Sequence, residues 1–483
     1  MKPVVIIGAG PSGLAAAYEL TKNNVSVVII ERLPQIGGLS RTLRRDGARY
    51  DIGPHRFFTQ NKEVHQLWVD ILQDDLLAVE RLTRIFYKNK FFYYPLQPMN
   101  ALFGIGAIDT VKILSSYFST RIQQRMTPRE AKTFEDWVVA QFGRRLFEIF
   151  FKTYTEKVWG IPCTEIGAEW AGQRIKGLSL WTAVMNAVFK PKSKNIKTLV
   201  DEFVFPRGGA GIIYEMMGEQ VQQHGGKIVT DSHAVGFRHE GNRVKSVIVE
   251  NSRGQQEEIE GDAFLVSSPL TEGILGFDPL PPRNIMDAAE SLRYRAHVGV
   301  DLEAAGNPFP DNWIYVHATD VYLARVANYR NFSKEMARTT DTSPLTVEYF
   351  CFRGDHIWNR SDEQLIELAT EEMKQMKILM PDQISNSFVV RNEKAYPVLE
   401  IGYEKKMDLL KDYTSSFENF QPIGRCGMFK YNNMDHAIVT GLLAARNYMG
   451  EKFDVWSVNI DADYHEGGEA LSTKSNPGEE TSR

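Results

Sequence analysis

The chain has 483 residues, of which 43% are hydrophobic and 24% charged, and it carries a net charge of −5 with a pI near 6.1. That length calls for two or three structural units rather than one core. The acidic balance leaves no broad basic field, which excludes nucleic acid as an expected partner. Cys163, Cys351 and Cys426 are far apart and odd in number. Neither a disulfide framework nor a metal site is expected from them, and a reducing, cytoplasmic setting is the simplest expectation. The chain enters Val4-Val5-Ile6-Ile7-Gly8 without a basic leader, so no targeting segment is expected. No apolar run approaches the ~20 residues of a membrane-spanning helix. The oligomeric state is left open.

In chain order, residues 3–7 are a β-branched run expected as a buried parallel strand. A tight turn at Gly8–Gly13, a helix through Leu20 and a second strand at Val25–Ile30 complete a βαβ unit. Met99–Tyr117 is apolar but interrupted by Asp109 and Lys112. It is expected as a buried helix, with a membrane-surface helix as the alternative. Residues 97–190 as a whole read as mostly helical. Strands return at Lys227–Thr230, His233–His239, Val244–Glu250 and Ala263–Val266, punctuated by Gly225-Gly226 and Glu240-Gly241-Asn242. Residues 293–302, 312–328 and 345–353 are expected as strands of another sheet. Asp362–Met380 and Asn433–Met449 are expected as helices. Residues 463–483 are polar and read as a disordered tail.

The motif with the most chemistry is Gly8-Ala9-Gly10-Pro11-Ser12-Gly13, with Glu31 ending the next strand. Gly8 permits the tight turn, Gly10 lets the backbone approach a pyrophosphate, and Gly13 lets helix and strand pack closely. The helix N-terminus offers N–H groups to phosphates, and Glu31 is placed to accept from ribose hydroxyls. Glu31-Arg32 followed by Gly37-Gly38-Leu39-Ser40-Arg41 resembles the second motif of flavin-binding families that include amine oxidases, protoporphyrinogen oxidases and UDP-galactopyranose mutases. Phe205-Pro206-Arg207-Gly208-Gly209 and Gly424-Arg425 resemble further marks of the same families. The resemblance implies an α/β fold with a Rossmann-type, two-dinucleotide-binding-domain architecture and FAD as cofactor. The FAD is expected to be non-covalent, since no cysteine, nor His55 or His297, falls in an attachment motif. The expected division is an FAD-binding domain from 1–96, 201–290 and 421–462, a helical insertion at 97–200, and a sheet-bearing substrate domain at 291–420.

Four segments resemble UDP-galactopyranose mutase in particular: Tyr50–Thr59, Tyr94-Pro95-Leu96, Tyr154–Gly160, and Gly424-Arg425 with Tyr431 and Met434-Asp435. This implies isomerisation of a nucleotide-diphosphate sugar with no net redox change, through a transient sugar adduct at N5 of reduced FAD. NAD(P)H is a candidate reductant. Holding a diphosphate beside the flavin calls for arginines rather than point charges. Arg425 matches one such arginine, and Arg174, fifteen positions after Trp159, is the candidate for the other. Tyr154, Tyr431, Trp159 and His55 complete the implied substrate site. The implied FAD contacts are Gly8, Gly10, Pro11, Ser12, Gly13, Glu31, Arg32, Gly38, Leu39, Ser40, Gly53, Pro54, His55, Gly424, Met434 and Asp435. Three positions depart from the mutase pattern: Phe58 for a second loop histidine, Asn433 for an aspartate, and Val158 for a glutamine.

Two alternatives stand beside the mutase. An FAD-dependent oxidase is suggested by the stretch Val321–Trp358, including Asn328-Tyr329 and Glu348-Tyr349. A non-catalytic flavoprotein is the other. His297 reads as structural rather than catalytic.

Overall fold

A computed structural model describes residues 2–95, 100, 104–127, 130–168 and 202–459. Arg174, the rest of the expected helical stretch from 169 to 200 and the tail at 463–483 lie outside the described residues. The nucleotide half is built on a five-stranded parallel sheet, in the order Phe420–Pro422, Ala263–Val266, Val4–Ile7, Val27–Ile30, Lys227–Val229. Val4–Ile7 is buried along its whole length: strands flank it on both sides, helices cover the face of Val4 and Ile6, and the antiparallel strands Ser232–Glu240 and Arg243–Asn251 cover the face of Val5 and Ile7. The helices Pro11–Lys22 and Met434–Tyr448 pack so closely that a Cβ on Gly441 would lie 2.1 Å from the Ser12 carbonyl.

Gly13 is tighter still: an added Cβ would lie 1.9 Å from the Gly8 carbonyl. Gly13→Ala is therefore expected to destabilise the fold by about 1–3 kcal/mol through overpacking. A thermal melt of the FAD-loaded protein would check this, and an unchanged midpoint would show that the turn can open.

The second half is a seven-stranded sheet in the order Ile384–Pro397, Tyr294–Ala305, Thr342–Cys351, Arg325–Asn328, Trp313–Val316, Thr83–Tyr87, Lys90–Tyr93. Three expectations change here. The hairpin at 83–93, grouped above with the nucleotide half, pairs into this sheet through Trp313–Val316. The single strand expected at 312–328 is two strands, with the connection between them held by Lys157. The Lys157 ammonium donates to the carbonyls of Val316, Ala318 and Leu323. Ile384–Pro397 went unseen because it is an edge strand, half-buried almost throughout, and lacks a clear alternation of apolar and polar residues.

The helix Asp362–Gln375 covers one face of this sheet and starts at a Ser361–Gln364 capping box. The helical insertion contains Ala107–Met126, Phe134–Phe142 and Thr153–Trp159, with a π-helical turn at Glu148–Lys152. The expected buried helix is buried on one face only: Ile113 and Tyr117 point inward, whereas Ile108, Val111, Phe118 and Ile122 are exposed. None of the described helices is long and apolar enough to cross a membrane.

Candidate active site

A cavity of about 1800 Å³ runs between the two halves. That exceeds the roughly 300–1,000 Å³ of an ordinary small-molecule pocket and leaves room for a dinucleotide and a second ligand. Gly8, Gly10, Pro11, Ser12, Glu31 and Arg32 line its nucleotide end. Gly38, Leu39, Ser40, Gly53, Pro54 and His55 line its middle, and Arg425, Met434 and Asp435 approach from the C-terminal side. Tyr154, Trp159 and Tyr431 line the far end. Gly13 and Gly424 do not reach the wall; they sit behind it, with a Cβ on Gly424 meeting the Ser12 hydroxyl at 2.3 Å.

The nucleotide end fits FAD. The helix Pro11–Lys22 has no side-chain cap at its N-terminus, so its first N–H groups are available to phosphates. Gly10 and Gly38 face each other, and a Cβ on Gly38 would come within 3.1 Å of the Gly10 Cα, so two bare backbones flank the cradle. The Glu31 carboxylate accepts from the Ala9 N–H at 2.7 Å and the Leu33 N–H at 2.9 Å. These bonds hold it in place and leave each oxygen a lone pair for a ribose hydroxyl.

The far end is an aromatic chamber, and the cavity as a whole is cationic. Seven basic side chains line the cavity against four acidic ones, the reverse of the chain's overall acidity. Arg425 donates from Nε to the Asn432 carbonyl at 2.8 Å and lies over the rings of Tyr396 and Tyr431 at 5.0 and 5.1 Å. Tyr431 also packs against Trp159, with centroids 5.6 Å apart. Tyr154 stacks on His317 at 4.8 Å and meets Tyr315 edge-on. The π-helical turn brings Phe150 and Phe151 to this wall; such turns recur at functional sites.

Arg325 was missed by the sequence reading. It lies directly opposite Glu348 on the neighbouring antiparallel strand. The two form a two-pronged ion pair through Nε and Nη2 of the arginine, with Nη2 2.9 Å from Oε1. Arg325 lines the cavity, and its Nη1 has no hydrogen-bond acceptor among the described residues. Burial would raise the Glu348 pKa, but the Arg325 guanidinium outweighs it and holds the carboxyl at about 2. The available signal was an arginine and a glutamate, each inside an otherwise apolar strand run; buried charges are rare unless paired.

Arg325 and Arg425 both act on His55. Burial pulls the His55 pKa down to about 3, and the two guanidinium charges add to the effect. The imidazole is therefore neutral, and its buried Nε2 has no hydrogen-bond partner among the described residues. Burial raises the Tyr154 phenol well above its ordinary value, keeping it protonated and able to donate. Phe58, one of the three departures from the mutase pattern, lies under Arg56 at 4.6 Å.

Residues 11–392 match the sequence model of the flavin containing amine oxidoreductases. The chain belongs to this family. The fold of these flavin containing amine oxidoreductases binds FAD, and the glycine cradle above is where the chain would hold it. A protein of Klebsiella pneumoniae described as "Probable UDP-galactopyranose mutase" is 30% identical over 174 residues, 35% of this chain and 43% of that protein. A coproporphyrinogen III oxidase of Bacillus subtilis is 29% identical over 154 residues, 30% of this chain and 33% of that one. The chain thus spans less than half the length of either relative. Among solved structures, reduced UDP-galactopyranose mutase superposes with a TM-score of 0.82 at 21% identity, covering 98% of each chain. Putrescine oxidase bound to putrescine superposes with a TM-score of 0.59 at 16% identity, covering 93% of this chain and 99% of that one. At these identities the structural likeness speaks for the fold shared across the family.

Proposed function

We propose that the protein is a flavin-dependent, mutase-like enzyme. Its substrate would be a nucleotide-diphosphate sugar, isomerised between pyranose and furanose-type rings. The observation that carries this is the pair Arg325 and Arg425, two guanidiniums that both line the chamber beside the His55 loop. An oxidase has no need of two such groups, whereas a diphosphate is well matched by them. FAD, bound and reduced, supplies the nucleophile for the anomeric carbon, with NAD(P)H as candidate reductant. The chain's own groups do the rest. Arg325 and Arg425 neutralise the diphosphate as it leaves and returns, Tyr154 donates a hydrogen bond, and the neutral His55 faces the reacting end without adding charge. The nucleotide half, assembled from N-terminal, middle and C-terminal stretches, is the proposed FAD-binding domain.

The second reading is an FAD-dependent oxidase, favoured by the aromatic wall of Phe134, Phe142, Phe150 and Phe151, which would suit a flat apolar substrate. Anaerobic incubation of the FAD-loaded protein with UDP- and dTDP-sugars, before and after dithionite reduction, separates the two. A ring isomer formed only by the reduced protein is expected. No isomer from any sugar, together with rapid oxygen consumption on amines or tetrapyrroles, would turn the assignment to the oxidase.

A further inference from the structure

Arg325, Glu348, His297 and Asn392 lie on four neighbouring strands of the large sheet. A chain of hydrogen bonds joins them and leaves the sheet at Arg41, in the Gly37–Arg41 loop of the nucleotide half. Arg41 donates from Nη1 to the Gly38 carbonyl at 2.7 Å and from Nη2 to Asn392 Oδ1 at 3.1 Å. A guanidinium has only donors, so the amide oxygen of Asn392 must face it. The amide nitrogen of Asn392 then faces His297 Nδ1 at 3.4 Å, which makes Nδ1 the acceptor. The imidazole proton is left on Nε2, which donates to Glu348 Oε1 at 3.1 Å. Glu348 in turn receives the two-pronged Arg325. One orientation of every group satisfies the whole chain.

The surroundings leave room for this arrangement. Gly299 lies opposite Glu348; a Cβ there would crowd Thr346 Cγ2 at 3.2 Å and reach only ordinary contact, 3.5 Å, with the His297 ring. Gly53, from the loop that carries His55, rests on the same carboxylate; a Cβ on it would lie 2.5 Å from Glu348 Oε1. His297 is 3% exposed and both of its nitrogens are engaged. That rules it out as a free acid or base.

We propose that His297 is a positioning residue: through Glu348 it fixes the plane of Arg325, so that Nη1 is presented to an anion in the chamber. The inference rests on the diphosphate-binding reading of Arg325. Without the Nε2 donor, Glu348 loses one of its fixed bonds and the ion pair is free to rotate as a unit.

His297→Phe keeps the ring and its packing against Phe350 but removes the donor, whereas His297→Gln keeps a donor toward Glu348. His297→Phe is expected to raise the Kd for UDP and for inorganic pyrophosphate on the order of 10-fold, the scale of losing a group that orients a ligating one. FAD content should hold, the melting temperature should fall only by the few degrees that losing the bonds to Glu348 and Asn392 costs, and His297→Gln should bind near the wild-type level. Wild-type affinity in His297→Phe would overturn the proposal. So would a loss that appears only together with FAD, or one that His297→Gln shares in full. A second readout needs no ligand. In ¹⁵N-histidine spectra at pH 8, the resonance lost in His297→Gln is expected to be the neutral Nε2–H tautomer, and the Nδ1–H tautomer would refute the chain of bonds. A wild-type protein that binds neither probe sinks the diphosphate reading and the positioning role with it. An intact tautomer alongside normal probe binding but insensitive variants sinks the positioning role alone.

Discussion

Replacing Arg425 with alanine is expected to weaken UDP binding by about 2–5 kcal/mol, the cost of truncating one partner of a desolvated charge pair. The position makes the effect specific. Its Nε is anchored on the Asn432 carbonyl, and its plane lies over Tyr396 and Tyr431. The guanidinium is therefore held in one pose before any ligand arrives, and little ordering cost remains to be met on binding. Arg425 forms no ion pair within the described residues, so its loss leaves no buried carboxylate uncompensated. The fold should survive, at roughly the 1 kcal/mol cost of one lost hydrogen bond. Calorimetric titration of UDP into the variant, with FAD content measured alongside, makes the comparison. Unchanged affinity would count heavily against a diphosphate in this chamber.

Glu348→Leu is expected to cost about 3–5 kcal/mol of folding stability, because it strands the Arg325 charge among buried strands. Glu348 is fully buried. Its folded pKa, near 2, lies below the ~4.3 of a free glutamate. The unfolded chain therefore binds the proton first as pH falls. The stabilisation is present above ~4.3 and is lost as pH drops through that value toward 2. Asp51 and Asp301 act in the opposite sense. Burial raises them to about 7 and about 8, so their contribution is full at low pH and declines as pH rises toward those values. The two windows are separate; Asp109, Glu335 and Glu363 are also held below their ordinary values, so the Glu348 share of the acid limb is read from the difference between wild type and variant in urea melts between pH 2 and 4. Glu348→Gln should flatten the acid limb of the stability curve, and an unaltered slope there would show that the pair does not govern it.

The nucleotide half was legible because its signals are local. Gly8, Gly10, Gly13 and Glu31 fall within 24 residues, and each acts through the turn or helix it belongs to. A glycine's lack of a Cβ and a helix's free N–H groups do not depend on distant parts of the chain. Even so, both Glu31 oxygens also take backbone N–H groups, at Ala9 and Leu33, which spacing alone did not foretell. In the large sheet, local pattern served less well. The edge strand Ile384–Pro397 lacks the alternation that marks a half-buried strand. The connection between Trp313–Val316 and Arg325–Asn328 is shaped by a lysine more than 150 residues earlier in the chain.

The amino-acid order alone thus determined that this chain carries a βαβ dinucleotide cradle and flavin-family motifs along most of its length. Those features follow from backbone sterics over short spans. Only the tertiary structure revealed Arg325 on the cavity wall that Arg425 also lines. Arg325 reaches the chamber because strand register sets it opposite Glu348, and a ladder of side chains through His297 and Asn392 ties that pair to Arg41. Register is a property of paired strands rather than of either strand's sequence, so a buried charge in one of them has no visible partner until the sheet is assembled.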